Sequence, residues 1–134
     1  AGLKRLGRAE AATAILSPDE MLPAVGQGAI GITCRTADAR VRALLDPLNH
    51  AETFACVTAE RAMLEVLDGS CRTPIAGLAE IIAGRLLLRG LVARPDGSRL
   101  VAARREGTAA EAAAVGHALG RELLTRAGPD FLAR

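Results

Sequence analysis

A chain of 134 residues, half of them apolar, has the material for one ordinary domain with a real core, and with no Trp or Tyr and only Phe54 and Phe131 that core must be aliphatic. Its net charge of +2, from 17 basic against 15 acidic residues, is too even to indicate nucleic acid or a membrane surface as partner. No segment approaches the ~20 apolar residues of a spanning helix, and the first residues lack the charged-then-apolar layout of a signal peptide.

Cys34, Cys56 and Cys71 lie far apart and cannot all pair, and with no Cys-x-x-Cys spacing and only His50 and His117 as imidazoles no metal site is expected. Unpaired thiols suit a reducing, cytoplasmic compartment. Of the basic residues only Lys4 is lysine. An arginine-rich surface suits carboxylate ligands, which a guanidinium grips with two parallel bonds.

In chain order, Ala1 to Gly7 reads as the last turns of a helix, with Leu3 and Leu6 on one side and Gly7 as the stop. A helix so short cannot stand alone in water, so the chain reads as cut from something longer. Val25-Gly26-Gln27-Gly28-Ala29 leads into Ile30, Ile32 and Cys34, whose alternation predicts a strand. The glycines at its entrance suggest close approach to another backbone. A phosphate loop is a poor reading of them, because the Lys-Ser/Thr pair is missing and no helix follows. Thr36 is the expected cap of a two-turn helix carrying Val41, Leu44 and Leu45 and closed by Asp46-Pro47.

From residue 49 the pattern predicts a self-contained unit. Asn49 and Glu52 have capping-box spacing and open a helix to about Leu67, with Cys56, Ala59, Met63, Val66 and Leu67 on its apolar side. Strands follow at Ile75–Ile82, Leu86–Ala93 and Arg99–Arg105, with short turns that imply antiparallel hairpins. Thr108 and Glu111 repeat the capping-box spacing and start a last helix with Ala112, Val115, Leu119 and Leu123 as its stripe, stopped by Gly128-Pro129. The predicted class is α/β: an α-β-β-β-α unit with a three-stranded antiparallel sheet and helices on one face, preceded by segments that lack partners in this chain.

Cys71 is the candidate reactive group. Gly69 and Ser70 loosen the backbone around it, and Arg72 favours its thiolate, although a small thiol tucked under a loop is the ordinary alternative. Glu60-Arg61, on the helix to about Leu67, reads as an internal ion pair or a surface decoration, with solvated surface charge the default. His50 and His117 have no acidic partner at ligand spacing and read as capping or solvated histidines; a Cys71–His117 dyad has no support in the sequence. The α-β-β-β-α order also belongs to double-stranded-RNA-binding modules, but the last helix begins Thr108-Ala109-Ala110-Glu111, with no basic residue to hold phosphate. A small redox thiol protein is a third reading, with no evident resolving cysteine.

Three stretches together carry a resemblance: Ala1-Gly2-Leu3-Lys4-Arg5-Leu6-Gly7, Leu22 to Ile32, and Thr58-Ala59-Glu60-Arg61-Ala62 followed by Gly69-Ser70-Cys71-Arg72-Thr73-Pro74-Ile75. In that order and spacing they resemble the porphobilinogen deaminase (hydroxymethylbilane synthase) family, and the chain looks like its C-terminal portion. The resemblance implies that residues 1–24 end the second domain, 25–48 are a return segment of the first, and 49–134 are the third, cofactor-attachment domain. It implies a dipyrromethane primer in thioether linkage to Cys71, extended head to tail by four porphobilinogens, with release of ammonia and then of hydroxymethylbilane for tetrapyrrole (haem or chlorophyll) biosynthesis.

Arg5 matches a family arginine that binds the carboxylates of the growing oligopyrrole, and Gly2, Gln27, Gly28 and Ala29 match positions lining the same cleft. The family's catalytic aspartate lies upstream, so no catalytic residue is assigned here, Cys71 is expected to be a bare thiol in this chain, and the full-length enzyme is expected to be a monomer. Thr33 and Ser70 depart from the family's usual Glu and Gly; the first change would remove a partner of Arg35, the second tests whether the loop needs a positive φ.

Overall fold

A computed structural model describes residues 2–67, 74–128 and 131. The Cys71 loop with its Ser70, and Pro129 of the expected stop, lie outside the described residues. The observed order is α1 (Gly2–Arg5), α2 (Ala39–Leu45), α3 (Ala51–Val66), β1 (Ile75–Ile82), β2 (Arg85–Ala93), β3 (Leu100–Gly107) and α4 (Ala112–Ala127), with single 3₁₀ turns at Ala9–Ala11, Asp46–Leu48 and Ala109–Glu111.

The strands form one antiparallel sheet in the order β1-β2-β3, with Leu88 opposite both Ala79 and Arg105. Because side chains alternate across a strand, Leu86, Leu88, Gly90 and Val92 share one face with Gly77 and Ala79. Onto that face pack α3, through Ala55, Ala59, Met63 and Leu67, and α4, through Ala112, Val115, Leu119 and Leu123. The predicted two-layer arrangement is therefore the observed one. Met63, Leu86, Leu88, Val92, Leu119 and Leu123 are fully buried, and an aliphatic core does what the absence of large aromatics requires.

Two glycines let the layers close. A Cβ on Gly116 would fall on the carbonyl oxygen of Ala59, and one on Gly120 would lie 2.9 Å from that of Met63, so α4 approaches α3 backbone to side-chain-free backbone. At the β1–β2 hairpin, Ala83 and Gly84 both take positive φ (49° and 76°), which is the geometry of a two-residue I′ turn. Alanine accepts it at a cost of about 1–2 kcal/mol. The expected capping box is present: the Glu111 carboxylate accepts from the Thr108 N–H and hydroxyl, both at 2.8 Å. It opens α4 through a 3₁₀ turn.

Two caps differ from expectation. Asp38, not Thr36, caps α2 by accepting from the Val41 N–H at 3.0 Å, since the helix begins two residues later than Thr36 could serve. At α3 the cap is His50, whose Nδ1 accepts from the Thr53 N–H at 3.2 Å, one residue past Asn49. The strand expected at Ile30–Cys34 is absent. Residues 29–35 belong to no strand ladder, and Ile30 is 93% exposed, because no strand edge lies beside them among the described residues.

Candidate functional site

Asp19, Pro23 and Gly26 are each bonded to the C-terminal unit, and these polar contacts define the site. The backbone turns at 25–28, with φ of +70° at Gly26 and +82° at Gly28. Nothing lies within 4 Å of where their Cβ atoms would be, so glycine is needed for left-handed backbone and not for the close approach expected of it.

Glu60 holds this turn. It lies on the half of α3 that faces β1, only 5% exposed, and its carboxylate accepts from the Gly26 N–H at 2.7 Å through one oxygen and from the Ala79 N–H at 2.8 Å through the other. Reading it as solvated charge was wrong. A buried carboxylate survives where donors replace its water, and charge-assisted bonds to backbone N–H groups do so. The Ala79 N–H belongs to the free edge of β1, where a fourth strand would otherwise bond. The next outward N–H, on Gly77, is taken by the Pro23 carbonyl at 3.0 Å. Pro23 and Glu60 together therefore cover a sheet edge that would be open to mispairing. Val25 packs against the core beside them.

Gln27, Gly28 and Ala29 line an open groove of about 360 Å³ together with His50, Glu52, Thr53, Cys56 and Glu60. Burial, followed by the charges of Glu60, Glu52 and Glu80, pushes the Cys56 thiol above its ordinary value, so it stays protonated and weakly nucleophilic at neutral pH. Gly2 and Arg5 do not line this groove; both are exposed on α1. Arg5 belongs to no ion pair among the described residues, which leaves its guanidinium available. Structure therefore brings three of the five expected binding residues to one turn and leaves two apart. The expected anchor, Cys71, lies outside the described residues; Leu67, the last described residue before it, is buried at the end of α3.

On the sheet's other face Arg89, in the central strand, bonds Asp19 at 2.5 Å and Glu80 at 2.9 Å, tying residues 18–24 across it. Of the other strand arginines, Arg105 is engaged with Glu122 at 3.0 Å and Arg85 with Glu106 at 3.7 Å, and Arg99, just ahead of β3, bonds the Arg126 and Ala127 carbonyls at the end of α4. They do not form a free phosphate-gripping row. His117 does meet an acid, Glu65 on the neighbouring helix, at 3.4 Å, a pairing that spacing along the chain could not reveal. Arg35 sits 3.8 Å from Asp38. Among the described residues no group of three or more His, Cys, Asp or Glu could hold a metal, and no helix is long and apolar enough to cross a membrane.

Fold and site define a class: an α/β unit of three antiparallel strands and two long helices, with a glycine turn from an earlier segment latched to its sheet edge. Comparison with known proteins gives the family. Residues 54–125 match the model of the porphobilinogen deaminase C-terminal domain, and residues 1–43 that of the porphobilinogen deaminase dipyromethane cofactor binding domain. The chain is 54% identical over 131 residues, 98% of its length, to porphobilinogen deaminase of Paracoccus denitrificans, and spans 42% of that protein. It belongs to the porphobilinogen deaminase family.

Proposed function

We propose that this chain is the C-terminal part of a hydroxymethylbilane synthase, a transferase that condenses four porphobilinogens on a dipyrromethane primer tethered to Cys71. The observation that carries the reading is the match along 98% of the chain to a porphobilinogen deaminase. In this reading residues 1–24 close the second domain, 25–48 return through the first, and 49–134 form the third. The two family matches end at 43 and begin at 54, on either side of the last boundary. The complete enzyme is proposed to be a cytoplasmic monomer that takes porphobilinogen and binds neither nucleic acid nor membrane.

The dipyrromethane carries acetate and propionate groups and supplies the pyrrole carbon that is extended. The groove beneath the glycine turn does not fit it, since Glu52 and Glu60 would repel those carboxylates. The unpaired Arg5 does fit, as does a backbone turn with Gly28 at its crest, whose N–H makes no backbone bond among the described residues. These are the contacts we assign toward the oligopyrrole, with Gln27 and Ala29 beside them and Gly2 next to Arg5. Cys56, kept protonated, does not compete with Cys71 as an attachment point. The RNA-binding alternative is not favoured, because Arg85, Arg89, Arg99 and Arg105 are spent on carboxylates and helix carbonyls.

The test is the intact mass and peptide map of the complete protein. A dipyrromethane adduct is expected on the Cys71 peptide, lost in Cys71→Ala together with hydroxymethylbilane formation. A Cys71→Ala enzyme that still makes hydroxymethylbilane would sink the proposal. The 134-residue chain alone is expected to leave porphobilinogen unconsumed.

A further inference from the structure

We infer that Glu60 is a positioning residue whose carboxylate locks the Gly26–Ala29 turn to the edge of β1, so that the turn moves with the C-terminal unit and not with the segments that precede it. The inference rests on the proposed function only in the clause that the turn lines the reaction cleft. The latch itself stands on geometry. Two oxygens of one buried carboxylate receive one N–H each from parts of the chain on opposite sides of α3, which are otherwise joined by the Gly77 N–H to Pro23 carbonyl bond. Gly26 precedes α3 and Ala79 follows it, so the bond to Glu60 from either side converges on the middle of the helix.

A carboxylate is the only side-chain group that can do this. The amide of glutamine offers one acceptor oxygen and turns a donor toward the second N–H, so one bond is lost and one backbone donor is stranded. The other two ties in this stretch cannot stand in. The Asp19–Arg89 pair has an exposed carboxylate and is screened by solvent, and the Pro23 carbonyl holds the chain three residues ahead of the turn without fixing its crest. Glu52, which also lines the groove, makes no hydrogen bond to the turn, so it serves as the internal control.

The experiment is residue-resolved amide exchange on this chain, comparing wild type with Glu60→Gln and Glu52→Gln. Glu60→Gln is expected to speed exchange at Gly26 by roughly tenfold or more, the loss of one charge-assisted bond, while Leu88 and Val92 keep their protection. Glu52→Gln is expected to leave all three unchanged. Unchanged exchange at Gly26 in Glu60→Gln, or collapse of protection at Leu88 and Val92 with it, would overturn the latch. In the complete enzyme, Glu60→Gln is expected to raise KM for porphobilinogen more than it lowers kcat, through a displaced turn. Unaltered kinetics with a released turn would overturn the link to the cleft. An active Cys71→Ala enzyme would instead be the failure of the function assigned above.

Discussion

Residues 51–128 and residues 2–48 are the same polypeptide under opposite physical regimes. In the first, two amphipathic helices and a sheet exclude water from a shared aliphatic core. In the second, Ile15, Ile30 and Leu6 stand 89%, 93% and 73% exposed, no residue is fully buried, and order depends on caps, turns and a few bonds to the neighbouring unit. Apolar composition is therefore not what separates a folded region from a dependent one. What separates them is whether the chain also supplies the opposite face. The exposed Ile and Leu of the dependent segment carry the pattern of core residues without a partner, in keeping with a chain that spans 42% of its relative.

Truncations test this contrast most sharply. Leu119→Ala, at a fully buried position between α4 and the sheet, is expected to cost about 2–5 kcal/mol in urea denaturation of this chain, and Ile30→Ala no more than about 0.5 kcal/mol. Comparable losses at the two sites would break the comparison. Glycine substitutions give the next largest effect. Gly116→Ala would drive a methyl into the Ala59 carbonyl and is expected to cost about 1–3 kcal/mol, whereas Gly31→Ala, with open space around it, should be neutral or slightly stabilising.

Acid gives the smallest and most local effect. Hydrogen bonds from Thr108 hold Glu111, and those from Ser98 hold Asp96, below their ordinary values of 4.5 and 3.8, while Ser17 does the same for Glu20. Each folded-state value is depressed, so each contribution is present above the ordinary value and is lost as pH falls through the folded one. The melting temperature is expected to hold from neutrality to about pH 5 and decline below that. Amide protection at residues 17–21 should fall over the same window whether or not the unit has begun to melt. Protection there that tracks the core residue for residue would show that the two regions are one cooperative body.

Much of this could be read from spacing. The period of Ala59, Met63 and Leu67, the alternation through Leu86, Leu88 and Val92, and the Thr108–Glu111 box are local signals, and local hydrogen bonding or pleating executes them directly. The misreadings share a cause. Ile30, Ile32 and Cys34 alternate as a strand does, but a strand is a pairing, and pairing needs a second edge. Asn49 had cap spacing, but the helix began one residue later, where an imidazole could accept. Glu60 looked like any surface carboxylate because its two donors lie far from it along the chain, at Gly26 and Ala79.

By itself the order of residues determined the element types and apolar faces of the C-terminal unit, and the family, since these depend on periodicities and motifs that a few neighbouring residues express. Tertiary structure alone decided that Glu60 is buried, that Cys56 is shielded, and that the glycine turn is tied to a sheet edge. Each of those is a question of which distant donor or charge arrives beside a side chain, and only the folded path of the backbone answers it.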